Sequence, residues 1–423
     1  MPIAPRAILA SRMASLWLLN LIFGLVVAVP AALAWAQAAA LPVLGWVSIV
    51  LLLPALDFFS LAVTSLLAWG LSLLASRLRR KSLVTVIGSV VFLGAYFAVI
   101  FRMNGYIEQL AQNGAAIAES LAGAKLLVWL GRAMAQGSAL ALLWSLLALL
   151  LPFALMYWVL SRSFIRIVTT KRGAAKIRYE EKTLETSSPD RALVRREFRR
   201  LWASPTYLLN AGMGVLFLLV GAAALVIRRA AILDLAVQLP ELAASVPVFL
   251  LLAICGMLGT TLFTPSSVSL EGKNLWILQS MPVSGCQVLL SKLRMADSLT
   301  LPTAAVAGIC CASVTDRAPL VLAAGVLFAR FVNLLGLREG VLHAKLDWTN
   351  EAQAVKQGWA TMLTMLLCWG VILATGALWL MWLAELVSAE AFLLGFCAVF
   401  FALDALLLRW VKTTGAERFS HLS

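Results

Sequence analysis

The chain has 423 residues, 62% of them hydrophobic and only 13% charged, with a mean hydropathy of +0.93. Those proportions exclude an ordinary water-soluble domain. The formal charge of +14 would suit nucleic acid if it formed one surface, but the basic residues cluster in a few loops between apolar runs, as in a membrane protein.

Ten apolar runs follow one another, near residues 14–35, 43–75, 82–101, 139–161, 206–228, 245–264, 295–313, 319–337, 358–382 and 389–411. Each is close to or above the roughly 20 residues that carry a helix across a hydrocarbon core. Alternation with period two is absent, so helices rather than a barrel must satisfy the backbone. The expected fold is therefore all-α: a polytopic transmembrane bundle of about ten spans. The second run is too long for one upright helix and contains Pro54, which predicts either a kinked, tilted helix or two shorter segments.

Orientation follows from charge, because short loops rich in Lys and Arg stay on the cytoplasmic side. With the N-terminus inside, inner segments hold 26 of the 34 Lys and Arg residues and outer segments 6. Both termini are then cytoplasmic, and the implied site is a bacterial inner membrane. The first 36 residues also read as a secretory signal, with Arg6 and Arg12 before an apolar stretch and Ala32-Leu33-Ala34 as a cleavage-like site.

An internal repeat favours a retained span. Met1-Pro2-Ile3 and the following residues to Met13 match Met281-Pro282-Val283 to Leu293 at an offset of 280, and a span follows both copies. Two spans precede the second Met-Pro and none the first, so the repeats are unequal, four spans plus six, and the chain reads as beginning in mid-repeat. The expected organisation is a first membrane repeat over 1–161, a basic linker over 162–205, a second repeat over 206–411 and a tail over 412–423.

The outer segment 102–138 places Ile107, Leu110, Ile117 and Leu121 at helical spacing, which predicts amphipathic helices against the outer mouth. In the linker, Val194, Phe198, Leu201 and Trp202 form a helical stripe among Arg195, Arg196, Arg199 and Arg200. Such a helix suits the interface with anionic lipid. The inner loop Ser269-Leu270-Glu271-Gly272-Lys273-Asn274-Leu275-Trp276, running on to Met281-Pro282, has the mixed chemistry of a surface that docks another protein.

These residues resemble a known family, the long, duplicated permeases of bacterial ATP-binding-cassette (ABC) exporters of the second exporter type. The resemblance rests on Ser269, Glu271, Gly272, Lys273, Trp276, Ser280, Met281, Pro282, Ser291 and Lys292. It extends to Lys345-Leu346-Asp347-Trp348-Thr349-Asn350-Glu351 and to Arg196–Asn210. It implies a permease that exports a peptide, lipid or hydrophobic drug, driven by a separate ATPase subunit acting as a dimer. Glu271, Gly272, Lys273, Trp276, Met281, Pro282, Asp347, Trp348 and Glu351 are the implied docking residues. ATP would then act only through that partner, with no cofactor bound directly and no nucleic acid involved.

Chemistry within the chain itself is sparse. Gly272-Lys273 is followed by Asn274 where a phosphate loop needs Ser or Thr. His343 and His421 stand in no metal or triad spacing, and the six cysteines form no CxxC pair. Neither a catalytic nor a metal site is expected. Charges inside spans are functional suspects because hydrocarbon disfavours them: Asp57, Arg330 and Asp404, the last two as an expected pair. An ion-coupled secondary transporter is the alternative reading, and midplane carboxylates would have to serve it.

Overall fold

The computed structural model describes residues 5–38, 41–77, 81–120, 123–169, 188–239 and 243–422. The expected Ile107, Leu110, Ile117 and Leu121 stripe, the first four residues of the repeat, and most of the basic linker lie outside the described residues or side chains. The chain divides into two units, Met1–Glu181 and Lys182–Ser423. Among the described residues there is no strand, and nine helices are long and apolar enough to cross a membrane. The chain is an all-α, polytopic bundle of about ten spans.

The first unit holds α1 (Pro5–Ala38), α2 (Val43–Arg77), α3 (Lys81–Ser120), α4 (Lys125–Ala135) and α5 (Ala139–Thr169). The long second run is one continuous helix despite Pro54. At 1.5 Å per residue its 35 residues reach about 52 Å, well beyond a hydrocarbon core of about 30 Å. Its far end must therefore leave the membrane on the basic side. The third run lies in α3, where the apolar stretch Val86–Ile100 is described, and α3 bends at Asn113. Leu52, Ala55, Ala133, Ala141 and Leu149 form a small core where α2, α4 and α5 meet.

The second unit is better packed. It comprises α6 (Pro189–Ala203), α7 (Pro205–Ile227), α8 (Arg229–Gln238), α9 (Val246–Leu258), α10 (Phe263–Ser269), α11 (Leu275–Ser280) and α12 (Gly285–Cys310). It continues with α13 (Ala318–Leu342), α14 (Glu351–Val355), α15 (Trp359–Leu378), α16 (Ala389–Trp410) and α17 (Ala416–Ser420). Its core runs through α13, whose buried face carries Val321, Ala324, Phe328, Val332 and Leu335.

The sixth run is not one helix. α9 ends at Leu258, residues 259–262 break the helix, and α10 resumes with every residue buried. Backbone groups freed within a membrane need partners, and the neighbours supply them. The Leu262 amide donates to the Ala211 carbonyl at 3.0 Å, and the Tyr207 hydroxyl donates to the Phe263 carbonyl at 2.8 Å. Room for α10 comes from α13: a Cβ at Gly336 would stand 2.7 Å from the Pro265 ring, and one at Gly340 2.8 Å from the Pro265 carbonyl oxygen.

Candidate functional site

The site is built where α6, the turn after α10 and the start of α12 meet. α6 starts with Pro189 in its first turn and Asp190 beside it, both favourable at a helix N-terminus. Its buried face is Leu193, Glu197 and Leu201, spaced four apart. This corrects the predicted stripe: Phe198 and Leu201 do pack inward, but Trp202 is 52% exposed. The helix is rotated because Arg196 and Arg200 turn toward the bundle instead of toward lipid headgroups.

Glu271 draws them there. Its carboxylate is 2% exposed and receives two hydrogen bonds from Arg196, at 2.6 and 3.2 Å, and two from Arg200, at 2.7 and 2.8 Å. Lys292, fully buried, donates to Glu271 at 2.6 Å, to Glu197 at 3.2 Å and to the Ser267 carbonyl at 3.1 Å. Three cations and two carboxylates thus form one lattice across three segments. Paired fork-to-carboxylate bonds are the strong, directional kind. Burial alone would raise the Glu271 acid, but Lys292 and the two guanidiniums outweigh it and hold it well below the usual carboxylate range. Burial works against the Arg200 charge, and the bonds to Glu271 more than offset it, pushing its proton affinity above the ordinary value.

Around this lattice the loop 343–350 is clamped down. The Trp348 indole donates to the Ser269 carbonyl at 2.7 Å, and the Lys345 amide to the Ser269 hydroxyl at 3.0 Å. The Ser204 hydroxyl donates to Glu351 at 2.6 Å, tying α14 to the α6–α7 junction. Gly272 has φ +54°, and a Cβ there would lie 3.1 Å from the Trp348 ring nitrogen, so both the backbone and the indole call for glycine.

The expected docking residues therefore separate into two sets. Lys273, Trp276, Met281, Pro282 and Asp347 are exposed. Glu271 and Gly272 are buried, and Trp348 and Glu351 half-buried, so these four shape the surface from behind. A groove of about 300 Å³ runs between Lys273, Trp276, Gln279, Leu346, Asp347 and Leu422. Gln279 fixes one wall by donating to the carbonyls of Phe419, Ser420 and Leu422 at 2.9–3.3 Å. α12 leaves this surface through a capping box, in which the Gln287 amide donates to the Ser284 hydroxyl at 3.2 Å and the Ser284 amide donates to the Gln287 side chain at 3.0 Å.

A family described as a putative ATP-binding cassette matches residues 2–378. The chain belongs to that family. No curated protein and no solved structure matches it. Membership together with the helix bundle makes this a transporter-related membrane protein.

The intramembrane charges are placed as follows. Asp57, in the first unit, is half-buried beside Gly24, with one carboxylate oxygen lacking any hydrogen bond. The expected Arg330–Asp404 pair is not a hydrogen-bonded one, since neither buried oxygen of Asp404 has a partner. Arg330 instead lies within electrostatic reach of both Asp404 and Asp297, and dividing its attraction between two carboxylates accounts for the missing direct contact. Lys292 and Glu197, the inner members of the lattice, were not singled out for this role from sequence. The available signal was one Glu embedded among four Arg residues at 195–200, which a purely lipid-facing helix does not need.

Proposed function

We propose that the chain is the membrane permease of an ABC exporter in a bacterial inner membrane, coupled to ATP hydrolysis by a separate ATPase subunit that docks as a dimer. The observation that carries this reading is the exposed Lys273–Trp276–Met281 surface, seated on a buried ion lattice that reaches directly into α6 and α12. A displacement imposed at residues 272–282 has a stiff route to a spanning helix, through Lys292 and the capped start of α12. Exposed aromatic and methionine side chains beside a groove, here Trp276 and Met281, are common anchors of a protein partner. Family membership and the broken sequence Gly272-Lys273-Asn274 support a division of labour in which the nucleotide is held elsewhere.

The test is co-purification with an ABC-type ATPase subunit co-expressed with the chain. Lys273→Glu with Trp276→Ala should lower recovery of the partner at least tenfold while the permease keeps its thermal stability in detergent. Full recovery of the partner would overturn the docking assignment. Transport in inverted vesicles that needs an ion gradient and not ATP would replace the exporter reading with an ion-coupled secondary transporter.

A further inference from the structure

Deep in the second unit, α12, α13 and α16 each contribute to one polar layer. Asp297 and Thr300 come from α12, Arg330 and Asn333 from α13, and Asp404 from α16. Asn333, 2% exposed, donates to Asp297 at 2.8 Å and to the Thr300 hydroxyl at 2.7 Å. Thr300 itself donates to the Ala296 carbonyl at 3.1 Å. Asp404 is different. It is 5% exposed, and both its oxygens are sealed from solvent with no donor in reach.

The surroundings make that arrangement costly for a bare anion. One turn before Asp404, Phe400 stacks on Phe396 with centroids 4.2 Å apart and meets Phe331 edge-on at 5.0 Å. A carboxylate at the centre of a spanning helix costs about 2.5–3.5 kcal/mol or more unless it is neutralised. Among the described residues Arg330 is the cation whose charge acts on it, and Arg330 also acts on Asp297. Two carboxylates and one guanidinium leave the layer one negative charge in excess.

The other ionisable groups nearby do not correct this. α9 brings only Cys255, whose thiol faces Cys368 of α15. On α16 itself, Glu390 pairs with Arg317 at the opposite end, and Lys412 beyond Trp410 is exposed. A metal cation would need several free oxygens, yet Asp297 Oδ1 and the Thr300 hydroxyl already accept from Asn333. A proton needs one lone pair and no space.

We propose that Asp404 is a proton-binding site, so that the layer Asp297–Arg330–Asp404 is electrically neutral in this conformation. Release of that proton charges the layer and requires water to enter between α13 and α16 or those helices to part. The site thereby links proton occupancy to opening of the bundle, independently of how the ATPase docks.

Infrared difference spectra across a pH titration of the purified full-length protein, carrying carboxyl-labelled aspartate, test this. The wild type should show a protonated-aspartate carbonyl band at neutral pH that disappears on alkalinisation. Asp404→Asn should abolish the band, and Asp404→Glu, which keeps the charge of the layer, should remove it from labelled aspartate. No protonated-aspartate band in the wild type would overturn the proposal whatever the variants do. A labelled-aspartate band retained in Asp404→Glu would overturn it by placing the proton on Asp297, and this arm stands even if Asp404→Asn does not fold. A band displaced by sodium at constant pH would overturn it in favour of a metal-cation site.

Discussion

Glu271 shows what one buried residue holds together. Replacing it by Gln leaves Lys292 buried without its main counter-charge, and breaking a buried pair in this way costs about 3–5 kcal/mol. Thermal unfolding in detergent should show that loss for Glu271→Gln, and a smaller one for Lys292→Met with Glu271→Gln together. The pH dependence has a definite sign. Because the folded acid is held below its unfolded range, its stabilisation is complete above about pH 4.3 and is lost as pH falls below that value. The acid limb of the stability profile should flatten in Glu271→Gln. Gly272→Ala should cost about 1–2 kcal/mol for its left-handed backbone and loosen the Trp348 clamp, read as a lower unfolding midpoint. The sequence marked Glu271, Gly272 and Trp348 as special, but not that Glu271 and Gly272 are buried. Burial of a charged residue is decided by partners 21–95 positions away, and no local pattern carries that.

At the level of elements, the spans were legible because each is an apolar run longer than a soluble helix requires. The break after Leu258 was not. Gly259-Thr260-Thr261 sits within a continuous apolar stretch, and only the hydrogen-bond partners on α7 and the close approach of α13 reveal that the backbone leaves the helix there. That fit rests on absent side chains. Gly340→Ala should push a methyl group against the Pro265 carbonyl and destabilise by about 1–3 kcal/mol. Gly370→Ala, where nothing lies within 4 Å of the new carbon, should be neutral or slightly stabilising, since alanine favours a helix by up to about 1 kcal/mol. Equal effects from the two substitutions would remove packing as the cause. The rotation of α6 was illegible for a related reason: an amphipathic stripe names a face, but Arg196 and Arg200 had a buried acid to reach and overrode it.

Across the whole molecule, orientation rests on charge alone, so it can be checked from either side of the bilayer. The 26 residues of α12 extend about 39 Å, enough to carry Lys273 and Asp316 to opposite faces. In a Cys286→Ser background, a membrane-impermeant maleimide should label Lys273→Cys from the cytoplasmic face only and Asp316→Cys from the other face only. Reversed labelling would invert the topology. Helical class, span number and basic-side asymmetry were readable from composition and periodicity, because the bilayer imposes length and polarity on every element. The lattice and the Asp404 layer were not, because they join segments that only tertiary packing brings side by side. The grip of Gln279 on three carbonyls in and just beyond the last helix also has a practical meaning for anyone handling the protein. Leu422 forms part of the groove wall, so an affinity tag or fluorescent fusion appended there sits at the mouth of the surface offered to a partner. If the proposed partner docks there, complexes recovered through such a tag would be under-represented, and a handle in the 102–120 region is the better choice.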